Sequence, residues 1–234
     1  AAIYASGSKK MTEGFGPMPG GIKQHPFNQV DGLKKIINKN TAAVVIELIQ
    51  GEAGIVPAKK VFINEIKKLC RKNNALIVID EVQSGVGRTG HLYAYEKYNI
   101  KPDILCSAKG MGNGIPIGAI LTTNKVAKAM HVGAHGSTYG GNPLACSVSY
   151  EVFKEVSKKS FLNSVIKKEK LFISLLNDLN KKYNCFTAVR SAGLWIGLEL
   201  NSKIENLTLQ NIMSSAYDEG LMILKANNNM YKKY

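Results

Sequence analysis

Residues 75–90 have the sequence Ala75-Leu-Ile-Val-Ile-Asp-Glu-Val-Gln-Ser-Gly-Val-Gly-Arg-Thr-Gly90, which is the most informative segment of the chain about its fold. Five residues without a polar side chain, three of them β-branched, lead directly into Asp80, and a glycine-rich turn begins four residues later. Such a run predicts a buried strand with a carboxylate at its C-terminal end. Because open α/β sheets bind ligands beyond the carboxyl ends of their strands, Asp80 is predicted to lie in a functional site.

The segments around this strand alternate between strand and helix patterns. An apolar run at 41–49 predicts a strand, and an amphipathic pattern at 58–73 predicts a helix. Apolar runs at 104–108, which leads into Lys109, and at 117–123 predict two further strands. This alternation is typical of an α/β fold with a mostly parallel sheet covered by helices. Residues 1–30 are rich in Gly and Pro and predict a loop with one short strand at its start.

The order of helix and strand patterns changes in the C-terminal third of the chain, which predicts a second domain. Two long helical patterns are followed by a β-rich stretch, a helix and a short apolar run, Leu221–Leu224, that predicts a strand. We therefore expect a large domain at 1–157 and a smaller C-terminal α+β domain at 158–234.

Composition excludes some classes of function. The net charge of +14 comes mostly from lysines, which occur in pairs on the polar faces of predicted helices, so we expect a solvated surface and no nucleic-acid partner. No apolar stretch is long enough to span a bilayer, and the N-terminus lacks a signal-peptide pattern, so we expect no membrane partner and a cytoplasmic location.

The sequence offers no persuasive metal site or hydroxyl nucleophile. The four cysteines form no C-x-x-C pair, and His131 and His135 have Gly133 between them and no third ligand nearby. Ser137 lacks an identifiable His-Asp pair, and its glycine-rich surroundings favour anion binding instead.

Gly85-Val-Gly-Arg-Thr-Gly90 matches the G-x-G-x-x-G pattern of dinucleotide-binding folds. In those folds the first glycine lies at the tip of the strand, where the pyrophosphate meets a helix N-terminus. Here Asp80 and Glu81 intervene, and their carboxylates would repel a pyrophosphate. Asp103 precedes its strand and so cannot be the expected ribose ligand. These observations disfavour a dinucleotide.

Lys109 at the end of an apolar strand suggests a different cofactor. A lysine partly withdrawn from water loses its charge readily, and its neutral amine attacks carbonyl carbons, although a strand end that simply reaches solvent is also consistent with the pattern. If the strands of Lys109 and Asp80 are neighbours, they form the pair that pyridoxal 5'-phosphate needs. The lysine holds the aldehyde, and the carboxylate keeps the ring nitrogen protonated.

Three long motifs also resemble one family. Residues 78–90, residues 103–119, and His135-Gly-Ser-Thr-Tyr-Gly-Gly-Asn-Pro-Leu-Ala-Cys146 resemble the class III pyridoxal-phosphate-dependent aminotransferases of fold type I. The likeness runs through essentially the whole chain and is strongest to members that act on acetylornithine and succinyldiaminopimelate. It implies transfer of an amino group from N2-acetylornithine to 2-oxoglutarate in arginine biosynthesis, and succinyldiaminopimelate as a second substrate in lysine biosynthesis.

The resemblance also implies residue roles. Lys109 matches the cofactor-binding lysine, and Asp80 matches the carboxylate at the ring nitrogen. Val82 would pack on the ring, Gln83 would bond near its phenolic oxygen, and Glu81 belongs to the same cofactor-contacting segment.

Further roles fall outside that segment. In a homodimer, Thr138 matches the residue that contacts the phosphate group of the cofactor bound to the other subunit. Ser137 matches a neighbouring substrate contact, and Glu52 matches a glutamate that faces the substrate pocket.

Some family motifs are expected outside this stretch of chain. The phosphate loop and an aromatic-His-Gly-Arg segment would lie before residue 1, and a carboxylate-binding arginine after residue 230, so we expect a fragment. Two alternatives stay open: an ornithine or other ω-amino-acid aminotransferase, and a truncated, catalytically silent remnant.

Overall fold

The computed structural model describes residues 2–205 and 207–226, and a four-stranded sheet lies at its centre. The strands of this part of the chain are β1 (Ala43–Glu47), β2 (Ile49–Gln50), β3 (Val56–Pro57), β4 (Leu76–Asp80), β5 (Ile104–Ser107), β6 (Ala119–Thr122), β7 (Phe186–Ser191) and β8 (Ile196–Leu200). The central sheet has the order β1-β4-β5-β6, with β1, β4 and β5 parallel and β6 antiparallel at the edge. The predicted mostly parallel α/β sheet is confirmed.

The described helices are α1 (Ala2–Ala5), α2 (Lys9–Thr12), α3 (Leu33–Ile36), α4 (Lys60–Asn73), α5 (Tyr95–Tyr98), α6 (Asn124–Ala127), α7 (Pro143–Val156), α8 (Lys159–Tyr183) and α9 (Leu209–Asp218). A 3₁₀ turn covers Lys109–Gly112. The predicted helix at 58–73 is confirmed as α4.

Helix α4 and the sheet form the main core because their apolar patterns face each other. The buried residues of α4 recur at helical spacing on one face, while Ile77 and Ile79 of β4 point to the same side of the sheet. Burying this face removes several large aliphatic side chains from water, each contributing about 1.5–3 kcal/mol. The α4 residues concerned are Phe62, Ile63, Ile66, Leu69 and Cys70.

Helix α7 begins where the sequence predicts. The side chain of Asn142 accepts a hydrogen bond from the Ala145 N–H at 2.9 Å, and Pro143 occupies the first helical position, where no N–H is needed. Helix α8 follows after a break of two residues and continues to Tyr183, where Asn184 adopts a left-handed conformation.

Two predicted strands are wrong. The chain start forms α1 and α2 instead of a strand, and Leu221–Leu224 has no regular secondary structure. Both runs are apolar, but in the described part of the chain neither lies beside a strand that could satisfy its backbone hydrogen bonds. The run at 41–49 is also interrupted, since Leu48 separates β1 from β2.

Strands β7 and β8 form an antiparallel hairpin that follows α8. The boundary near residue 157 falls between α7 and α8 and stays a prediction. Across residues 2–205 and 207–226, no helix combines the length and the apolar character that a bilayer crossing requires.

Candidate active site

The carboxyl ends of β1, β4 and β5 meet at one edge of the sheet. Glu47, which ends β1, lies opposite Asp80, which ends β4, and Asp80 lies opposite Cys106 in β5. Lys109 comes shortly after β5 ends. The prediction that the strands leading to Asp80 and Lys109 are neighbours is confirmed, and the structure adds Glu47 to the group.

Asp80 is held by its own turn. Its Oδ1 accepts a hydrogen bond from the Val82 N–H at 2.9 Å, which orients the half-buried carboxylate at the strand end. Among the described residues, no group donates a hydrogen bond to Oδ2. One carboxylate oxygen of Asp80 therefore orients the side chain, and the other remains able to accept a hydrogen bond from a ligand.

Lys109 begins the 3₁₀ turn with φ at 47° and an exposed side chain. A non-glycine residue in this left-handed region costs about 1 kcal/mol, so the conformation must be maintained by its surroundings. The Met111 N–H donates to the Ala108 carbonyl at 3.2 Å and closes the turn. Within the described chain the Nζ atom makes no hydrogen bond or ion pair, so the amine is available to a ligand.

Glu47 is a functional candidate that the sequence reasoning missed. Burial and the nearby Asp80 carboxylate raise the pKa of Glu47 to about 7, while a hydrogen bond from the Gly51 N–H and the charge of Lys109 oppose the rise. Near neutral pH this carboxyl therefore exchanges readily between its two protonation states. The signal in the sequence was the one that identified Asp80, an acid that ends an apolar strand.

Glu81 lies next to Asp80 but supports the fold. Its fully buried carboxylate accepts hydrogen bonds from Ser84 Oγ at 2.6 Å, the Ala94 N–H at 3.0 Å and the Tyr95 N–H at 2.7 Å. Burial raises its pKa, and these three hydrogen bonds oppose the rise. The Glu81 side chain thus supports the turn, and its predicted place in the cofactor-contacting segment stays a prediction.

Gln83 and Glu52 are brought together from distant parts of the sequence. The Gln83 Nε2 donates to the Glu52 Oε1 at 3.3 Å. Val82 lies between Asp80 and Gln83 and is half-buried. The structure therefore brings Glu52, from the loop that follows β2, to Gln83, three residues after Asp80.

Ser137 and Thr138 are not brought to this group by the chain itself. Residues 131–141 are exposed throughout, and the Ser137 Oγ accepts a local hydrogen bond from the Gly140 N–H at 3.0 Å. Thr138 makes no hydrogen bond to any described residue. Their predicted contacts with phosphate and substrate stay predictions.

The two histidines of this segment also remain apart from the site. His131 and His135 are exposed, and Nδ1 of His131 lies 2.9 Å from the Val132 carbonyl oxygen. The described residues contain no group of three or more His, Cys, Asp or Glu side chains that could hold a metal ion.

A primary amine, a carboxylate with an open oxygen and a second, protonatable carboxyl thus lie at one sheet edge. Such an amine can attack a carbonyl carbon and carry a proton, and such a carboxylate can hold a proton on a ring nitrogen. These groups fit the demands of pyridoxal phosphate at its aldehyde and ring-nitrogen ends.

Comparison with known proteins supports this chemistry. The model of the family described as "Aminotransferase class-III" matches residues 1–232. The acetylornithine/succinyldiaminopimelate aminotransferase of Buchnera aphidicola subsp. Schizaphis graminum is 47% identical over 230 residues, which cover 98% of this chain and 57% of that relative. The chain spans about half the length of the curated relatives it matches.

Solved structures of aminotransferases also match the fold of this chain. The N-acetylornithine aminotransferase of Stenotrophomonas maltophilia K279a matches with a TM-score of 0.80 and 33% identity, over 90% of this chain and 55% of that chain. An ornithine aminotransferase of Toxoplasma gondii, whose description reports partial occupancy of PLP at the active site, matches with a TM-score of 0.84 and 28% identity, over 94% of this chain and 52% of that one.

Proposed function

The chain belongs to the class III aminotransferase family, and we propose that the protein it forms part of is a pyridoxal-phosphate-dependent enzyme that transfers an amino group from N2-acetylornithine to 2-oxoglutarate. The relatives named for acetylornithine support the donor. We place this reaction in arginine biosynthesis, with succinyldiaminopimelate as a second substrate in lysine biosynthesis. Because these substrates are water-soluble metabolites, we propose a cytoplasmic enzyme.

The observation that carries the proposal is the placement of Asp80 and Lys109 at adjacent carboxyl ends of β4 and β5. When bound, pyridoxal phosphate supplies an aldehyde and a ring that takes up carbanion charge. Lys109 would hold the aldehyde carbon and, once released, move a proton between neighbouring carbons. Asp80 would hold a proton at the ring nitrogen through Oδ2, while Val82 covers the ring and Gln83 bonds near its phenolic oxygen.

We further propose that the enzyme is a homodimer with shared active sites. Thr138, exposed and without a hydrogen-bond partner among the described residues, would reach the phosphate group held by the second copy. Ser137 would contact the substrate beside it, and Glu52 would face the substrate's side chain.

The test of the cofactor assignment is covalent trapping. Reducing the full-length enzyme with borohydride in the presence of pyridoxal phosphate is expected to attach the cofactor irreversibly to Lys109, as measured by peptide mass spectrometry. Lys109→Ala removes the only amine that the proposal uses, so it should carry no adduct at this peptide. Lys125→Ala, at an exposed lysine in α6, is the matched control and should be labelled like the wild type. Attachment elsewhere with none at Lys109 would contradict the proposal.

An ornithine aminotransferase is the second candidate, because the solved Toxoplasma gondii structure of that name shares the fold. A panel of amino donors separates the two. A higher kcat/KM for N2-acetylornithine than for ornithine supports the proposal, and the reverse order favours the second candidate. Transamination by residues 1–234 alone would also exclude a catalytically silent remnant.

A further inference from the structure

The loop that carries Glu52 is packed against the only tryptophan of the chain, Trp195. A Cβ atom built on Gly51 would overlap Cζ2 of the Trp195 ring and the Gln83 Oε1, and it would lie 2.8 Å from Cη2 of the ring. Real Cβ contacts of this kind do not occur, so only glycine fits here without displacement of a neighbour. The indole ring and the Gln83 amide thus both lie against the face of Gly51 on which a side chain would stand.

A small apolar cluster restricts the movement of the Trp195 ring. Trp195 packs against a small apolar cluster formed by Ile49, Ile55, Ala94 and Ala192, each of which is no more than 6% exposed. Tryptophan has few rotatable bonds, so a ring confined on one face by this cluster has little freedom to move. The Trp195 ring therefore forms a rigid surface that packs against the Gly51 backbone.

The hairpin that carries Trp195 also contacts the backbone of the loop between β2 and β3. The Arg190 Nε donates to the Gly54 carbonyl at 2.9 Å. A Cβ on Gly197 would lie 3.0 Å from the Gly54 carbonyl carbon, so β8 also approaches this loop closely. Both β7 and β8 therefore contact the loop between β2 and β3 at Gly54.

A second attachment links the hairpin tip to the turn that follows β4. The Leu194 N–H donates to the Arg88 carbonyl at 3.1 Å, and the Arg88 Nη1 donates to the Leu194 carbonyl at 2.9 Å. Arg88 belongs to the same turn as Gln83. Both halves of the Gln83–Glu52 hydrogen bond therefore rest on segments that the hairpin contacts directly.

We propose that Trp195 is a positioning residue that sets the Gln83–Glu52 pair at the substrate end of the site, and so determines the affinity for the amino donor. The inference rests on the proposed function, since it assumes that Glu52 faces the donor. A smaller side chain at residue 195 would leave space beside both Gly51 and the Gln83 amide. The loop and the amide could then shift, and the hydrogen bond from Gln83 to Glu52, already 3.3 Å long, would no longer be held in place. Asp80 is the last residue of β4 and Lys109 comes shortly after β5, so the central sheet would keep these two groups in place. Among the residues proposed to hold the cofactor, Gln83 would move with the pair.

The kinetic test compares Trp195→Leu and Trp195→Phe with the wild type in the full-length enzyme. Trp195→Leu should raise KM for N2-acetylornithine about tenfold while changing kcat by less than about threefold, because it displaces a binding group and leaves the reacting groups in place. Trp195→Phe keeps an aromatic wall and should give a smaller rise. Tyr217→Leu, an aromatic-to-leucine change at a residue that is 70% exposed on α9, is the matched control and should leave both constants unchanged.

A double mutant tests whether the ring and Gly51 act together. Gly51→Ala alone should raise KM through its overlap with the ring, and Trp195→Leu should recover part of that loss by opening space. The combined effect should therefore be smaller than the product of the separate effects. Simple multiplication of the two effects would overturn the proposed coupling.

The fluorescence of Trp195 gives a readout that does not depend on turnover. The difference in emission between the wild type and Trp195→Phe isolates the signal of this residue. Adding N2-acetylornithine to the enzyme without 2-oxoglutarate should shift that signal, and Glu52→Gln should weaken the concentration dependence of the shift. Thermal melting of each variant confirms that it is folded before it is compared.

The outcomes separate the two proposals. If the wild type forms no borohydride adduct at Lys109, the proposed function fails, and the role of Trp195 fails with it. If the adduct forms normally in the wild type and in Trp195→Leu, but KM is unchanged in a folded Trp195→Leu, only the positioning role of Trp195 is overturned.

Discussion

Two glycine-rich segments carry the predicted site residues, and they are built in opposite ways. The turn at 80–90 is mostly buried, whereas the segment at 136–142 is almost entirely exposed. In the first, the three hydrogen bonds of Glu81 and the close approach of Tyr93 to Gly85 hold the backbone. In the second, the described hydrogen bonds are local to the segment or to the start of α7.

The difference shows which half of the site this chain can form unaided. Asp80, Gln83 and their neighbours are positioned by contacts within the described chain, so their geometry follows from its own folding. Ser137 and Thr138 have no such support among the described residues, and in the proposed homodimer Thr138 would contact its ligand across the interface with the second copy. Each prediction below probes one side of this contrast.

The largest expected effect is at the buried turn. Asp80→Asn keeps the shape of the side chain but removes the charge that would hold a proton on the ring nitrogen, so kcat should fall by about 10²–10⁴-fold. Steady-state assays of the full-length enzyme measure it. Asp31→Asn, at an exposed aspartate outside the site, is the control and should retain wild-type turnover.

The next effect concerns the stability of the same turn. Glu81→Ala leaves the Ser84 hydroxyl and the N–H groups of Ala94 and Tyr95 without their acceptor, which should lower the free energy of unfolding by about 2–4 kcal/mol. Urea unfolding monitored by circular dichroism measures the change. Glu151→Ala, on the exposed surface of α7, should change stability by less than about 0.5 kcal/mol. Equal losses in the two variants would contradict the supporting role of Glu81.

A smaller effect depends on pH. Because the pKa of Glu47 is about 7 in the folded protein and 4.5 as an ordinary glutamate, the folded state binds more protons between these values. Stability from this residue is fully present below pH 4.5 and declines as pH rises to about 7, by about 1–3 kcal/mol in total. Glu47→Gln cannot ionise, so unfolding experiments from pH 5 to 8 should show a wild-type decline that the variant lacks. Parallel pH profiles would show that Glu47 has no raised pKa.

The smallest effect on stability is expected at the exposed segment. Thr138→Ala should change the free energy of unfolding by less than about 0.5 kcal/mol, since its side chain has no hydrogen-bond partner among the described residues. Its effect should instead be on activity through the second copy. Mixing and reassociating Thr138→Ala with Lys109→Ala should give more activity than either variant alone, because a mixed dimer contains one unaltered site. Activity that is only the sum of the two variants would contradict a shared site.

Much of the site was predictable from local pattern. Asp80 was recognised because an apolar run ends at a carboxylate, and Lys109 because a second run ends at an amine. The start of α7 was equally local, since Asn142 and Pro143 carry their own capping chemistry. These features depend on residues that are close in sequence, which is why their pattern was sufficient.

The failures involve interactions between distant residues. Leu221–Leu224 has the composition of a strand but no strand beside it in the described chain, and composition cannot supply one. The hydrogen bonds of Glu81 with the N–H groups of Ala94 and Tyr95 could not be predicted either, because these partners lie 13 and 14 residues further along the chain. Glu47 carried the same local signal as Asp80, but its raised pKa arises only when β1 and β4 lie side by side.

Local pattern and motifs were sufficient to assign the class of fold, the strands that lead to Asp80 and Lys109, and the family to which the chain belongs. The proximity of Glu47 to Asp80, the contact of Glu52 with Gln83 and the packing of Trp195 on Gly51 are seen only in the folded chain. The reason is physical: backbone preference and hydrophobic period act over a few neighbouring residues. The register of a sheet and the packing of a ring depend on segments that folding brings together from far apart in the chain.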